Sequence, residues 1–340
     1  MVRAVQFLGD RQAIVRDKPD PRPGPGQVVL KMRAVAICGS DLHRYRAPVG
    51  GQPPSDLVPG HEPCGEVLEV GPDVQGLKFG EHVLVYHRVG CGSCVECRTG
   101  QANICQNGQR SYSGYFDGAD AELMLAFARN CYPIPDGMSW EDAVVISCQA
   151  GTAYAPLRRL GASGRDSIAI TGLGPVGLCV LLLGQAMGAR MIGIDPMSER
   201  RAIAERLGAA ATFDSNDPHM SEAVAEITRG GANALVETSG HPSAHARIPD
   251  LLRVSGTAAV VGLGSSVPSL NPISMFKRQL SLFASNLYPE WMLPEIFDFV
   301  QSHRVPLSNV ITHRAGLEQA PEMFRLADSA TTGKIIFRFE

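Results

Sequence analysis

The 340-residue chain has no long hydrophobic run and no strong excess of charge of one sign. Its most apolar run, Val176–Gly184, is far shorter than the roughly 20 residues that cross a bilayer. The first residues, MVRAVQFLGDRQAIV, lack the apolar core of a signal peptide. A formal net charge of −3 gives no reason to expect nucleic acid or an acidic membrane surface as a partner. We therefore predict a cytosolic protein with neither kind of partner.

The chain also lacks internal repeats and low-complexity segments, and its length predicts two domains. Residues 1–146 contain short apolar alternations separated by Gly and Pro clusters, which is typical of strands and turns. Between residues 147 and 285, strand-like apolar runs alternate with helical stretches, which indicates βαβ units on a parallel sheet. Residues 286–340 add helical segments and a final strand. The predicted fold class is α/β with an additional β-rich domain.

Cysteine is scarce, with nine in the chain, yet four of them fall within fifteen residues. Because cytosolic disulfides are rare, such a cluster favours metal binding. The alternative is four buried thiols, but the residues between them are mostly polar, as in a surface loop. The spacing C-x2-C-x2-C-x7-C lets four thiolates converge on one tetrahedral ion. We predict a closed, structural zinc site formed by Cys91, Cys94, Cys97 and Cys105.

A glycine motif, GLGPVG, follows the strand-like run SIAIT and opens a helix. Its first glycine makes the turn, its second admits a pyrophosphate, and its third lets the helix pack on the strand. The helix N-terminus offers N–H groups and partial positive charge to phosphates. The motif predicts a Rossmann domain that binds NAD through Gly172, Gly174, Pro175, Val176 and Gly177.

An acidic residue, Asp195, ends the next predicted strand, eighteen residues after Gly177. A carboxylate there accepts hydrogen bonds from the ribose hydroxyls of NAD, whereas it repels the 2′-phosphate of NADP. The alternative role is that of a turn residue before Pro196. We predict NAD as the cofactor. Further cofactor contacts are predicted at Arg200, beyond Asp195, and at Thr238, Gly262 and Leu263, at the ends of later strands.

A second set of possible metal ligands is Cys38, His61 and Cys148, which are separated by 23 and 87 residues. No local motif links them. Each residue has an ordinary alternative, as a buried thiol or as a core imidazole. The spacing alone leaves both interpretations open.

Three features together resemble the zinc-dependent medium-chain alcohol and polyol dehydrogenases. They are the stretch GHEPCGEVLEVG, the four-cysteine loop and the glycine motif, which occur in the family's order along essentially the whole chain. The resemblance implies a GroES-like catalytic domain of residues 1–146 and 286–340 and a Rossmann NAD-binding domain of residues 147–285. It also implies two zinc ions per chain, and assembly into a homodimer or homotetramer.

The resemblance implies roles around a catalytic zinc held by Cys38, His61 and Cys148. The other implied site residues are Glu62, which can approach the zinc, Ser40 and His43, which form a proton relay, and Asp41, which orients His61. Two thiolates and one neutral imidazole neutralise Zn²⁺ and leave a fourth position open, as a Lewis acid needs. The implied reaction is hydride transfer between NAD and a secondary alcohol, a polyol or a sugar-like hydroxyl.

Two residues depart from the family pattern. Gly39 stands where some alcohol dehydrogenases have an arginine for the pyrophosphate, so phosphate contacts must come from elsewhere. Cys148 stands where the polyol and threonine dehydrogenase branch often has a glutamate, although CGSDLH is close to that branch. The alternatives are a simple alcohol or threonine-type dehydrogenase, a zinc-free quinone oxidoreductase and a non-catalytic NAD-binding sensor. The remaining histidines, His87 among them, are expected in surface or core roles.

Overall fold

The computed structural model describes residues 1–49, 56–108, 110–264 and 272–340, which group into two compact units. Unit 1 comprises Met1–Cys148, Pro289–Gln301 and Ile311–Glu340, and unit 2 comprises Gln149–Tyr288 and Ser302–Val310. The main divisions lie within three residues of the predicted boundaries, but residues 302–310 group with unit 2 instead of with residues 286–340.

The N-terminal part of unit 1 is rich in strands, as predicted. Its strands are β1 Val2–Gly9, β2 Gln12–Lys18, β3 Gln27–Ala36, β4 Pro63–Val70, β5 His82–Val85, β6 Arg88–Val89, β7 Arg110–Ser111, β8 Leu123–Phe127 and β9 Cys131–Pro133. Its α-helices are α1 Asp41–Arg46, α2 Val95–Arg98 and α3 Trp140–Val145. Buried and less buried positions alternate along β8, as expected for a strand with one face on the core.

Strands and helices alternate in unit 2. The elements are α4 Gly151–Leu160, β10 Ser167–Thr171, α5 Pro175–Ala186, β11 Arg190–Ile194, α6 Ser198–Arg206, β12 Ala211–Phe213, α7 Met220–Thr228, β13 Ala232–Glu237, α8 Pro242–Leu251, β14 Leu252–Val260, α9 Pro272–Lys277 and β15 Ser281–Ala284. The strands form a parallel sheet in the order β12-β11-β10-β13-β14-β15. This is the Rossmann order, which reverses between β10 and β13 and places the ligand crevice at their carboxyl ends.

The C-terminal elements complete both units. They are α10 Leu293–Ser302, β16 Ile311–Ala315, α11 Ala320–Asp328 and β17 Lys334–Arg338. The main sheet of unit 1 runs in the order β16-β17-β3-β4-β5-β9, and β8 also pairs with β3. Strand β17 is antiparallel to β3, with Ile336 opposite Ala36. The end of the chain therefore lies beside the residues that follow β3, where Cys38 stands.

An aromatic cluster fixes helix α1 within unit 1. The rings of Phe7 and Phe324 meet edge to face with centroids 4.7 Å apart, and Tyr45 of α1 lies 5.7 Å from each of them. Such pairs contribute about 0.5–1.5 kcal/mol each beyond the burial of their surface. The cluster holds α1 in place, and with it Asp41, the first residue of the helix.

Residues 302–310 join unit 2 because their apolar side chains pack against α5. Leu307 and Val310 are fully buried, and Val305 borders a cleft with Leu182 of α5. Their covalent neighbours in α10 stay with unit 1. Sequence spacing did not reveal this exchange, because it depends on which surface the segment meets in the folded chain. In the described part of the chain, no helix is long and apolar enough to span a membrane.

Candidate functional site

The four loop cysteines bring their sulfur atoms within 4.8 Å of one another. Cys91 Sγ and Cys97 Sγ are 3.9 Å apart, and so are Cys94 Sγ and Cys105 Sγ. A tetrahedral zinc ion with Zn–S bonds of about 2.3 Å separates its sulfur ligands by about 3.8 Å. The cluster therefore has the dimensions of a four-thiolate zinc site.

Hydrogen bonds prepare Cys91 of this loop to bind a cation. The backbone N–H groups of Ser93 and Cys94 donate to its sulfur at 3.4 and 3.3 Å, and Asn107 Nδ2 donates at 3.3 Å. The Ser93 hydroxyl and these donors lower the pKa of Cys91 to about 5. The thiolate is the form that binds metal, so the loop favours metal binding near neutral pH.

Cys38, His61 and Cys148 converge in unit 1 despite their separation in the sequence. Their ligand atoms and a carboxylate oxygen of Glu62 all lie within 4.8 Å of one another. Cys38 lies between β3 and α1, His61 precedes β4, and Cys148 lies in a π-helical turn, Ile146–Ala150, that follows α3. Turns of this kind are frequent at functional sites because they redirect side chains. The fold thus assembles the set that spacing alone left open.

Asp41 positions two members of this set. His61 Nδ1 lies 3.0 Å from Asp41 Oδ1, which leaves Nε2 of the ring for a metal. The other oxygen of Asp41 accepts the backbone N–H of Cys38 at 2.9 Å. Burial disfavours the charged imidazole, but Asp41 and Cys38 outweigh burial and raise the pKa of His61 well above its ordinary value. A metal that binds here displaces a proton from the ring.

The two thiols of the set share a hydrogen bond. The bond from Cys148 lowers the pKa of Cys38 well below its ordinary value, against the effect of burial. The same bond, together with burial, raises the pKa of Cys148. One thiolate is therefore already favoured, and metal binding releases the proton that remains.

A buried ion pair lies beside the ligand set. Glu62 and Lys334 are both 0% exposed, and Lys334 Nζ pairs with Glu62 Oε2. Glu62 Oε1 lies 3.9 Å from His61 Nε2. Burial raises the pKa of Glu62, while the Lys334 ammonium acts to lower it and so favours the carboxylate form. Glu62 therefore faces the ligand atoms with one oxygen and a cation with the other.

The two predicted relay residues differ in position. Ser40 Oγ lies 3.4 Å from His61 Nε2, so its hydroxyl borders the ligand set. His43 is exposed on α1. Within the described ranges, no hydrogen bond joins the Ser40 hydroxyl to the His43 imidazole. The structure thus brings Ser40 to the site and leaves His43 at the surface.

The glycine motif forms the turn between β10 and α5. Gly172 has a φ of +89°, in the left-handed region that favours glycine. A Cβ on Gly177 would collide with the carbonyl oxygen of Gly172, so only glycine allows this approach of helix to strand. A Cβ on Gly174 would meet nothing nearer than the Arg200 guanidinium, at 3.9 to 4.0 Å. The space above Gly174 fits a pyrophosphate at the N-terminus of α5.

Asp195 lies at the carboxyl end of β11, where its carboxylate is 2% exposed. Its oxygens accept the backbone N–H groups of Leu173 at 2.7 Å and of Met197 at 2.8 Å. Arg200 Nη1 lies 3.8 Å away. A carboxylate has about four acceptor positions, so these two bonds leave capacity for ribose hydroxyls. In the structure as it stands, the side chain also ties the glycine turn to the turn after β11.

Three other predicted cofactor contacts lie at the ends of later strands. Thr238 Oγ1 donates to the carbonyl oxygen of Gly172 at 2.7 Å, and Gly262 N–H donates to the carbonyl oxygen of Glu237 at 3.0 Å. Leu263 is 83% exposed. Thr238 and Gly262 therefore shape the crevice through hydrogen bonds to neighbouring strands, whereas the side chain of Leu263 extends into solvent.

Three buried groups near the cluster of Cys38, His61 and Cys148 were not predicted as site residues. The ring of His87 lies 5.0 Å from that of His61, centroid to centroid, and burial together with His61 lowers the pKa of His87 well below its ordinary value. Asp120 is 0% exposed, neither of its side-chain oxygens has a hydrogen-bond partner among the described residues, and burial raises its pKa. Lys334 is the third group. A charge inside an apolar run, as in GKIIFRF and ADAELMLAF, is the sequence signal by which Lys334 and Asp120 could have been found.

Comparison with known proteins identifies one family along the chain. The family model described as "Alcohol dehydrogenase GroES-like domain" matches residues 24–136, and the one described as "Zinc-binding dehydrogenase" matches residues 175–302. These ranges fall in the N-terminal part of unit 1 and largely in unit 2.

Individual relatives cover almost the whole chain. The uncharacterized zinc-type alcohol dehydrogenase-like protein YphC of Escherichia coli K12 is 33% identical over 99% of this chain and 98% of its own length. The L-threonine 3-dehydrogenase of Pyrococcus horikoshii is 32% identical over 93% of this chain and 92% of its own. A solved structure of a zinc-binding dehydrogenase from Sinorhizobium meliloti 1021 bound to NADP is 25% identical, with a TM-score of 0.90 over 100% of this chain and 99% of that one.

The matches confirm the fold class and the family resemblance predicted from the sequence. They also confirm the reaction class, which is oxidoreduction of the alcohol dehydrogenase type. The chain belongs to the zinc-dependent medium-chain alcohol dehydrogenase family.

Proposed function

We propose that this chain is a zinc- and NAD-dependent dehydrogenase of a secondary alcohol, a polyol or a sugar-like hydroxyl. The observation that carries the proposal is the convergence of Cys38, His61 and Cys148, with Asp41 on the far nitrogen of the His61 ring. Two thiolates and one imidazole are a donor set of catalytic zinc sites. When bound, the zinc supplies Lewis acidity and NAD supplies a hydride acceptor.

The side chains around this set position ligands and move the substrate proton. Asp41 keeps the His61 ring and the Cys38 backbone in place through its two carboxylate oxygens. We assign the acceptance of the proton of a bound alcohol to Ser40 Oγ, which lies 3.4 Å from His61 Nε2. His43 is exposed on the following turn and passes the proton to solvent. Because no direct bond joins Ser40 to His43, this path needs a bridging hydroxyl or water.

We infer that unit 2 favours NAD over NADP. Asp195 places a carboxylate at the end of β11, where a 2′-phosphate would meet a like charge. Arg201 is already engaged, because its Nη1 donates to the carbonyl oxygens of Asp195 and Pro196 at 2.7 and 2.9 Å. Arg200 is then the remaining nearby cation that favours NADP, at 3.8 Å from the Asp195 carboxylate.

Steady-state kinetics with both cofactors test this preference. We expect a higher kcat/KM with NAD, and we expect Asp195→Gly to narrow the preference by weakening NAD and relieving the repulsion of NADP. Arg201→Ala serves as the control. Because the Arg201 guanidinium already bonds backbone carbonyl oxygens, its loss should leave the preference between NAD and NADP unchanged. Equal or better kcat/KM with NADP in the unaltered protein would overturn the assignment.

A second candidate substrate class is amino alcohols, because a relative with 32% identity is an L-threonine 3-dehydrogenase. NAD reduction assays distinguish the two candidate substrate classes. The panel of compounds contains sugars, polyols, simple alcohols and amino alcohols, L-threonine included. The first proposal predicts the highest kcat/KM with a polyol, a sugar or a secondary alcohol. The highest value with L-threonine would favour the second candidate, and no reduction with any compound would favour a non-catalytic NAD-binding protein.

We also propose that the protein works in the reducing cytosol as a homodimer or homotetramer. The six cysteines of the two candidate metal sites form no disulfides, as metal binding requires. Light scattering of the zinc-loaded protein measures its mass in solution. A stable monomer would contradict the proposed assembly.

A further inference from the structure

Lys334 occupies an unusual position for a lysine, since its side chain is wholly buried at the start of the last strand. A buried ammonium is stable only where acceptors replace water. Lys334 Nζ donates to the carbonyl oxygen of Ile37 at 2.6 Å and pairs with Glu62 Oε2. Ile37 directly precedes Cys38, and Glu62 directly follows His61. The ammonium thus contacts the chain beside two of the proposed zinc ligands.

We propose that Lys334 is a positioning residue that holds Glu62 beside the catalytic metal and prevents it from becoming a permanent ligand. The proposal rests on the zinc site proposed above. It assigns a role in the site to a residue of the last strand, about 270 positions from Glu62 along the chain.

The two carboxylate oxygens of Glu62 face different neighbours. Oε1 lies 3.9 Å from His61 Nε2, and one carboxylate oxygen of Glu62 belongs to the set of ligand atoms that all lie within 4.8 Å of one another. Oε2 pairs with Lys334. A small rotation of the carboxylate therefore suffices to exchange the ammonium for a metal. The ion pair with Lys334 opposes this exchange.

The backbone around the pair keeps the ammonium in register with the site. Ile37 N–H donates to the carbonyl oxygen of Ile335 at 3.0 Å, and Ala36 N–H donates to the carbonyl oxygen of Glu62 at 3.1 Å. Strand β17, the residues after β3 and the His61–Glu62 segment are thus joined by main-chain hydrogen bonds. These bonds fix the main chain that carries the Lys334 ammonium beside Glu62.

Charge balance points in the same direction. Two thiolates already neutralise Zn²⁺, so the Glu62 carboxylate beside them adds a buried negative charge that the ligand set does not balance. The Lys334 ammonium supplies the balancing positive charge. Without it, the nearest cation for Glu62 is the metal itself, and Glu62 is expected to take the open position.

The test uses protein in which Co²⁺ replaces the catalytic zinc, because the visible spectrum of Co²⁺ reports its ligands and geometry. Imidazole, titrated into this protein, measures how accessible the open position is. We expect Lys334→Met to change the spectrum and to weaken imidazole binding about tenfold or more, the scale on which neighbours of metal ligands act. Lys334→Arg keeps the positive charge, so we expect its Co²⁺ spectrum and its imidazole affinity to be close to those of the unaltered protein.

The double variant Lys334→Met with Glu62→Gln separates positioning from a structural role. If Glu62 occupies the open position after loss of Lys334, removing the charge of Glu62 restores imidazole binding and the original Co²⁺ spectrum. Imidazole affinity and a spectrum unchanged by Lys334→Met would overturn the proposal. So would a double variant that binds imidazole as weakly as Lys334→Met.

The single variant Glu62→Gln keeps the proposal testable where Lys334→Met does not fold. Glu62 is held off the metal in the unaltered protein, so Glu62→Gln is expected to leave the Co²⁺ spectrum unchanged, and a large change would overturn the proposal. A failure of the zinc assignment itself looks different. Metal analysis would then find one ion per chain, and imidazole would leave the spectrum of every protein, the unaltered one included, unchanged.

Discussion

The two cysteine-containing clusters of unit 1 differ in how the chain builds them. Cys91, Cys94, Cys97 and Cys105 lie in one loop, offer only thiol donors and are mostly half exposed. Cys38, His61 and Cys148 come from distant segments, mix two donor types and are largely buried beside Asp41, Glu62 and Lys334. Polar groups of Ser93, Cys94 and Asn107 donate hydrogen bonds to Cys91 of the first cluster, whereas the second cluster lies beside charged groups.

This difference indicates that the first cluster stabilises the fold and that the second carries out the chemistry. A closed set of four thiolates leaves no position for a substrate, so its metal can only stabilise the loop. A set of three donors leaves a fourth position, and the charged residues around it control what enters that position. Losing the first cluster should therefore reduce folding stability, and losing the second should remove catalysis.

The largest effect is expected from His61→Ala. It removes a ligand of the proposed catalytic zinc and leaves unit 2 intact, so turnover should be abolished while NAD binding persists. Activity assays and NAD titration of the same preparation measure both. His219→Ala, at an exposed histidine of unit 2, is the matched control and should keep its activity. Substantial alcohol oxidation by His61→Ala would exclude catalysis through this residue.

Cys94→Ser should reduce stability and zinc content far more than the turnover of the protein that remains folded. Loss of about 2 kcal/mol or more corresponds to about 4–8 °C in Tm for a domain of 150–250 residues. Calorimetry and metal analysis check this expectation. Cys131→Ser, at a buried thiol outside both clusters, should lower stability but keep the full zinc content. Full zinc content and unchanged Tm in Cys94→Ser would contradict a structural zinc site.

His43→Ala should have a smaller effect than His61→Ala, because a relay residue assists a proton that bulk water also removes. General acid–base assistance is typically worth about 10²–10⁴-fold, and the exposure of His43 favours the lower end. Oxidation should slow mostly at low pH, where proton release is least favourable. A pH–rate profile measures this. Rates equal to those of the unaltered protein at every pH would remove His43 from the relay.

The smallest effect is expected from Asp120→Asn, which tests the buried charge near the second cluster. Because burial raises the pKa of Asp120 above its unfolded value of about 4, ionisation opposes folding. Its contribution to stability is complete below about pH 4 and is lost as pH rises through the folded pKa. The stability of Asp120→Asn relative to the unaltered protein should therefore increase with pH.

Urea unfolding at pH 5 and pH 8 measures this trend. Asp117→Asn is the matched control, because Asp117 pairs with Lys18 Nζ and also accepts the N–H of Val58 at 3.0 Å. Its loss should destabilise the protein at both pH values. A difference between Asp120→Asn and the unaltered protein that stays constant with pH would show that the carboxyl of Asp120 is not a buried, unpaired charge.

Sequence patterns predicted the features that depend on neighbours along the chain. The four-cysteine loop and the glycine motif are short enough for spacing to fix their geometry, and both have the expected form. The alternation of strands and helices likewise predicted the parallel sheet of unit 2. Cys38, His61 and Cys148 could not be joined by spacing, because the pairing of strands and a π-helical turn bring them together. Their assignment came from resemblance.

Long-range packing accounts for what sequence reasoning missed. Lys334 reaches the site only because β17 pairs with β3 at the end where Cys38 follows. His87 meets His61 through packing of rings from separate segments. Asp195 was predicted to accept hydrogen bonds from the ribose hydroxyls of NAD, and this role stays a prediction. The Asp195 carboxylate also accepts hydrogen bonds from the backbone N–H groups of Leu173 and Met197. These bonds depend on the folded turn and have no signal in the sequence.

The central claim is that one chain carries a structural and a catalytic zinc site, built from the two clusters found in unit 1. Metal analysis of the purified protein, beside Cys94→Ser and His61→Ala, tests it most directly. The account predicts about two zinc ions per chain in the unaltered protein and about one in each variant, with stability lost mainly in Cys94→Ser and activity lost mainly in His61→Ala. One zinc or none in the unaltered protein would contradict it.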